Sequence, residues 1–234
     1  MLELICSTPV LALSSIVRTV RRLRRNALPA DTVELARYLI GKTLVHDTSA
    51  GRVSGRIVET EAYVVGDAAG HAFRGQTHRN RSLFLRRGHA YVYFIYGVAC
   101  LLNVSSERAG TGAGVLLRAL EPLEGTDLML ARRGPVRLQD LVRGPGRLTV
   151  AMGVGLRDDG VDLCGRGPLW LGSEVRATGP VGVSVRIGIT KEADRPLRFF
   201  ELGSRFVSGP GKLNRTDLGS PARGTRTKDA QANR

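Results

Sequence analysis

Cysteine is scarce and scattered. Cys6, Cys100 and Cys164 are the only three in 234 residues, and their odd number and wide spacing exclude a disulfide framework or a zinc site built on paired cysteines. Lysine is almost missing: Lys42, Lys191, Lys212 and Lys228 stand against 31 arginines. No apolar run is long enough to read as a membrane span. The stretch from Leu2 to Val20 is broken by Glu3 and followed by an arginine cluster at Arg18, Arg21, Arg22, Arg24 and Arg25, the reverse polarity of a secretory signal. There is no H-E-x-x-H, no Walker sequence and no G-x-S-x-G. The segment GTGAGV at 110–115 resembles a dinucleotide fingerprint, but Val115 takes the place of the final glycine, so it reads as a turn.

Against these absences stands a surplus of positive charge. The formal net charge is +14, and a polyanion is the usual partner of so basic a soluble chain, because each arginine set against a phosphate releases a counterion. Its distribution tempers that inference. Residues 1–30 carry +4 and residues 205–234 carry +5, leaving +5 for everything between. The hydrophobic fraction of 42% excludes wholesale disorder.

The pattern predicts one α+β domain over residues 31–207, built on a largely antiparallel sheet. A basic, poorly ordered extension (1–30) precedes it and a basic, disordered tail (208–234) follows. DTVELARYLIGK reads as a helix with Asp31 as its N-cap and Gly41 as its stop. TLVHD and RVSGRIVETEAYVV read as a hairpin turning at TSAG, and AYVYFIY with CLLNVSS as a second, aromatic hairpin. AGVLLRAL adds a strand, EPLEGTDLMLARR a helix from its proline onward, and VSVRIGI and PLRFFEL two further strands.

The chemistry gathers in three places. Alternation in ETEAY puts Glu59, Glu61 and Tyr63 on one side of a strand. Four of the five tyrosines (Tyr63, Tyr91, Tyr93, Tyr96) fall in ETEAY and AYVYFIY although aromatics make up only 5% of the chain. Between them the loop from His71 to His89 also carries Arg74, His78, Arg79, Arg81, Arg86 and Arg87 but no acid, and a second basic run, Arg132, Arg133, Arg137, Arg143 and Arg147, meets only Asp140. Aromatics beside acid-free arginine stretches suit a surface that follows phosphates while stacking or wedging bases. A buried carboxylate next to it suits general-base activation of water at a sugar carbon. On the residues alone, either Glu59 or Glu61 fits that role, and Arg118 is equally a salt-bridge partner of Glu59. Arg143 and the amides near Gly146 suit phosphate contacts at a helix start.

RIVETEAY, GHAFRGQTHRNRSLF, GHAYVYFIYG, LLNVSS and VLLRALEPLEG, extended by RGPGRL and PLRFF, together resemble the alkyladenine (3-methyladenine) DNA glycosylases, over residues 31–207. The chain departs from that pattern at Gly70, His78 and Val98–Ala99. The resemblance implies a single domain on a curved antiparallel sheet with flanking helices and a protruding β-hairpin that enters DNA. It also implies a monofunctional enzyme that flips alkylated or deaminated purines from duplex DNA and hydrolyses the N-glycosidic bond. By the same resemblance, Glu61 deprotonates the water and Arg118 holds it; Tyr63, His71 and Tyr93 sandwich the base; Asn103 crowds normal guanine; and Tyr96 fills the gap in the duplex. Arg74, Arg79, Arg81, Arg143 and Gly146 are the expected DNA contacts. The expectation is a cytoplasmic, nucleoid-associated monomer that binds no membrane and needs no metal or organic cofactor.

Overall fold

A computed structural model describes residues 19–95, 97 and 99–215. Helix α1 (Thr32–Leu39) starts where the sequence places it: the Asp31 carboxylate accepts the Glu34 N–H at 2.9 Å, satisfying one of the helix's free donors. It ends at Ile40, after which Gly41 turns the chain at φ +89°. Leu35, Ala36 and Leu39 are fully buried, and truncating either leucine to alanine would cost about 2–5 kcal/mol.

The sheet is antiparallel throughout and curled. Strands β1 (Thr43–Thr48) and β2 (Gly51–Tyr63) form the first hairpin, and β3 (Ala90–Ile95) and β4 (Ala99–Ser105) the second. With β5 (Gly114–Glu124) and β6 (Leu169–Gly172) the order is β3-β4-β5-β2-β1-β6. Strand β8 (Arg198–Glu201) pairs with the far half of β2, and β7 (Val181–Ser184) pairs with β8. Thus β2 is gripped along one edge by β5 and along the other first by β1 and then by β8. Helices α2 (Thr126–Arg133) and α3 (Pro145–Met152) complete the body.

Five expectations change. EPLEG is not helical: β5 runs through Pro122 to Glu124, and the helix opens only at Thr126. The ladder with β2 overrides local propensity there, and Pro122 sits at a register shift where a missing N–H is tolerated. VSVRIGI is a strand only as far as Ser184, because the Ile187 N–H bonds a side chain instead of a neighbouring strand. PLWLG, passed over in the sequence, is edge strand β6. Residues 19–30, expected to form a loose extension, run against the body: Arg22 bridges Gly172, Arg25 pairs with Asp162 at 2.5 Å and Leu28 is buried. Residues 208–215, expected to belong to a disordered tail, are held too: Ser208 is buried and bonded to Glu59 and Arg198. Residues 1–18 and 216–234 lie outside the described residues.

A candidate active site at two β-bulges

Strict alternation along β2 would put Glu59 and Glu61 on the same face as Val53 and Ile57, both fully buried in the main apolar core. The pairing with β5 prevents this. Ile57 faces Leu120 and Glu59 faces Ala119, so Val58 is skipped; Thr60 then faces Leu117, so Arg118 is skipped. Each skip is a β-bulge, which re-phases the side chains beyond it. Past the first, Ala62 joins the core and the Thr60 hydroxyl donates to the Ala36 carbonyl of α1 at 2.9 Å. Glu59, Glu61 and Tyr63 consequently share the opposite face, where the second bulge delivers Arg118.

There they form a buried ion network. Arg118 Nε donates to Glu59 Oε1 at 2.8 Å, and its Nη1 lies 3.2 Å from Glu61 Oε1. Arg118 therefore contacts both carboxylates. Arg198 Nε also donates to Glu59 Oε1, at 2.7 Å, and the Ser208 N–H donates to Glu59 Oε2 at 2.6 Å. Glu61 receives the Ile187 N–H on Oε1 at 2.7 Å and the Tyr63 hydroxyl on Oε2 at 3.0 Å. Both carboxylates are fully buried, yet their proton affinities diverge. Burial pushes both pKa values up; for Glu59 the charges of Arg118 and Arg198 outweigh it and hold the group below the usual range. For Glu61, burial prevails over Arg118 and the two hydrogen bonds, and the pKa is raised. Two carboxylates whose environments separate their proton affinities are the mark of divided acid–base roles.

Beyond this network opens a cavity of about 400 Å³ bordered by Tyr63, His71, Tyr91, Tyr93, Asn103 and Arg118, among others. Its size is that of a small-molecule site. His71 and Tyr93 meet edge-to-face with centroids 4.3 Å apart, and Tyr91 stacks on Tyr93 at 5.3 Å. Tyr91 also bonds His71 Nδ1 through its hydroxyl at 2.9 Å. Desolvation, with help from the Arg79 charge, lowers the His71 pKa and keeps that ring neutral. Asn103 sits across from Tyr91 on β4 and donates to its carbonyl at 3.3 Å.

Two supporting residues escaped the sequence reading. Arg186 lies with its guanidinium 4.6 Å from the Tyr63 centroid, pairs with Asp67 through both Nη atoms and donates to the Ala62 carbonyl. It closes one face of Tyr63 and leaves the other to the cavity. Asn80 is buried and donates to the carbonyls of His71 and Gly75, which fixes the loop carrying His71. A lone arginine and a lone asparagine carry no sequence signal. Their value lies in contacts made across 119 and 9 residues of chain.

The chain is similar in sequence to known proteins. The family described as methylpurine-DNA glycosylase (MPG) matches residues 26–205. A protein of Mesorhizobium japonicum is 63% identical over 191 residues, which is 82% of this chain and 92% of its own. One of Paraburkholderia phytofirmans is 58% identical over 202 residues, 86% and 95% of the two chains. A third, of Methanoculleus marisnigri, is 48% identical over 182 residues, 76% and 94%. All three bear the name "Putative 3-methyladenine DNA glycosylase". The chain belongs to the methylpurine-DNA glycosylase family.

This methylpurine-DNA glycosylase family member is accordingly a hydrolase of N-glycosyl bonds whose substrate is DNA. Of the described residues expected to meet DNA, none borders the cavity itself. Arg74, Arg79 and Arg81 are exposed, with Arg79 donating to the Phe94 carbonyl at 3.1 Å. Gly146 is in the first turn of α3, beside the cavity-lining Pro145. Arg143 precedes that helix, held by the Val207 carbonyl at 2.8 Å. The β3–β4 hairpin grows more exposed toward its turn, where Gly97 adopts φ +68°. Tyr96, assigned to the tip, lies outside the described residues.

Proposed function

We propose that this glycosylase takes alkylated or deaminated purines, rotates the damaged nucleotide out of the duplex into the aromatic cavity, and hydrolyses its N-glycosidic bond with a water activated by Glu61. The observation that carries the reading is the placement of Glu61. A fully buried carboxyl with a raised pKa stands immediately behind Tyr63 and Arg118, both of which line the cavity.

The steps follow from these groups. A base out of the stack lies against Tyr63 and the His71–Tyr93 pair, and a cationic alkylated purine gains roughly 0.5–2 kcal/mol per good ring contact. Damaged bases also cost less to unstack, so extrusion itself selects them. Asn103 sets the limit on exocyclic groups. Water entering between Arg118 and Tyr63 gives its proton to Glu61 and forms the new C1′–O bond. The C1′–N bond breaks and its electron pair leaves with the base. As positive charge develops on the sugar, the Glu61 carboxylate stabilises it; Arg118, tied to Glu59, orients the water. Among the described residues no lysine borders the cavity; with no amine there to form an imine with the sugar, the product is an intact strand bearing an abasic site.

Duplex oligonucleotides bearing 3-methyladenine, hypoxanthine or ethenoadenine, incubated with the protein and then treated with alkali, test this. Cleavage at the lesion only after alkali is expected. Strand breaks without alkali, or excision from free nucleosides but not from duplex, would overturn it.

A further inference from the structure

The family match ends at residue 205, but the chain continues across the buried ion network. Phe206 and Val207 are buried with Val58, Ala119 and Phe200, which anchors the segment on the site side of the bulges. Ser208 follows, itself buried, and all its polar atoms are used. Its N–H donates to Glu59 Oε2 at 2.6 Å, and its hydroxyl accepts from Arg118 Nη2 at 3.3 Å. Its carbonyl accepts from Arg198 Nη2 at 3.0 Å and from Asn214 Nδ2 at 3.2 Å. Asn214 closes the circuit by accepting from Arg198 Nη2 on Oδ1 at 2.7 Å. None of residues 206–214 borders the cavity.

We propose that Ser208 is a positioning residue for the hydrolytic step, held by a strap over residues 206–214 that fixes the direction in which Arg118 faces Glu61. The inference rests on the reading that Glu61 and Arg118 carry the chemistry. Three nitrogens of Arg118 are committed: Nε to Glu59, Nη1 to Glu61 and Nη2 to Ser208. Replacing Ser208 and Asn214 takes the acceptor from Nη2 and unties the strap, and removing the strap also takes the Ser208 N–H from Glu59 Oε2. A guanidinium beside a carboxylate with a free oxygen turns to the two-pronged arrangement, which draws Arg118 toward Glu59 and away from Glu61. The charged and titratable groups facing Glu61 are Arg118 from β5 and Glu59 and Tyr63 from β2; Arg198 and Arg186 reach it only through Glu59 and Tyr63. Withdrawal of Arg118 removes the main opposition to burial, so Glu61 holds its proton to higher pH.

The test compares single-turnover excision at saturating protein, across pH, for the full chain, Ser208→Ala/Asn214→Ala, a chain ending at Val207, a chain ending at Arg215, and Glu61→Gln. Thermal melting and lesion-duplex affinity are measured alongside. The double variant and the Val207 truncation are expected to lose at least about tenfold in rate. Their acid limb should move to higher pH, with duplex affinity unchanged. The Arg215 chain, which keeps the strap, should match the full chain in its chemical step. If the truncation does not fold, the double variant decides. A double variant with the full chain's rate and pH limb, or with a loss matching only its unfolded fraction, overturns the proposal. An active Glu61→Gln protein overturns the underlying reading instead.

Discussion

Glu59 and Glu61 stand two residues apart on β2 and share the guanidinium of Arg118, yet Glu59 is held ionised while Glu61 is drawn toward its protonated form. The difference comes from their other partners. Glu59 has a second arginine, Arg198; Glu61 has only a phenol and one amide beside its share of Arg118.

Glu61→Gln should reduce excision by about 10²–10⁴-fold, the usual worth of a general base, while lesion-duplex affinity survives. In the unaltered protein kcat/KM should fall as pH drops through a pKa above the ordinary glutamate value, because the protonated carboxyl cannot accept a proton from water. A pH–rate profile without that limb would remove Glu61 from the role.

Tyr63→Phe separates two functions of one ring. Stacking remains, but the 3.0 Å bond to Glu61 is lost, and that bond helps keep Glu61 ionised. The acid limb should move to higher pH with little change in lesion affinity. Tyr63→Ala should instead weaken lesion binding by about tenfold or more, as expected for one lost stacking surface. Equal effects of the two substitutions on affinity would contradict this division.

Stability should be sensitive to acid. Burial favours the neutral form of Glu201, but hydrogen bonds from Arg56 and Arg176 and the Gly179 N–H override it and hold the pKa at about 2, against 4.5 unperturbed. Glu59 is likewise lowered. A carboxyl held below its unfolded value contributes stability that is complete above about pH 4.5 and is lost as pH falls toward the folded value; for Glu201 that is about 3 kcal/mol. Denaturant midpoints measured from pH 7 down to 2 should show the decline. Glu201→Gln should flatten it while lowering stability at pH 7 by about 3–5 kcal/mol, because buried Arg56 loses its close partner and keeps only Glu121 at 3.6 Å.

Arg74 and Arg81 are exposed on the loop that carries His71. Replacing both with alanine should weaken binding to undamaged and damaged duplex alike and reduce the slope of log affinity against log salt by about 1 per arginine. The rate at saturating protein should not change. A selective loss for the damaged duplex would place these residues in base recognition instead.

Much of this was legible from residue order alone. Local signals acted locally: Asp31 capped α1, Gly41 ended it, and TSAG turned the first hairpin, because each depends on contacts within a few residues. The same holds for the phase within ETEAY and AYVYFIY, since side chains alternate on any extended strand. Sequence could not say which face of β2 the carboxylates would take relative to the core. Counted from Ile57, plain alternation buries Glu59 and Glu61 against α1. The bulges at Val58 and Arg118 reverse that, and a bulge is a property of two strands paired across some 60 residues, not of either one. The divergence of the two carboxyls, the backing of Tyr63 by Arg186 and the closure by Ser208 arise in the same way. Each is fixed by how much water is excluded and which charges are brought near, and only the folded chain sets those two quantities.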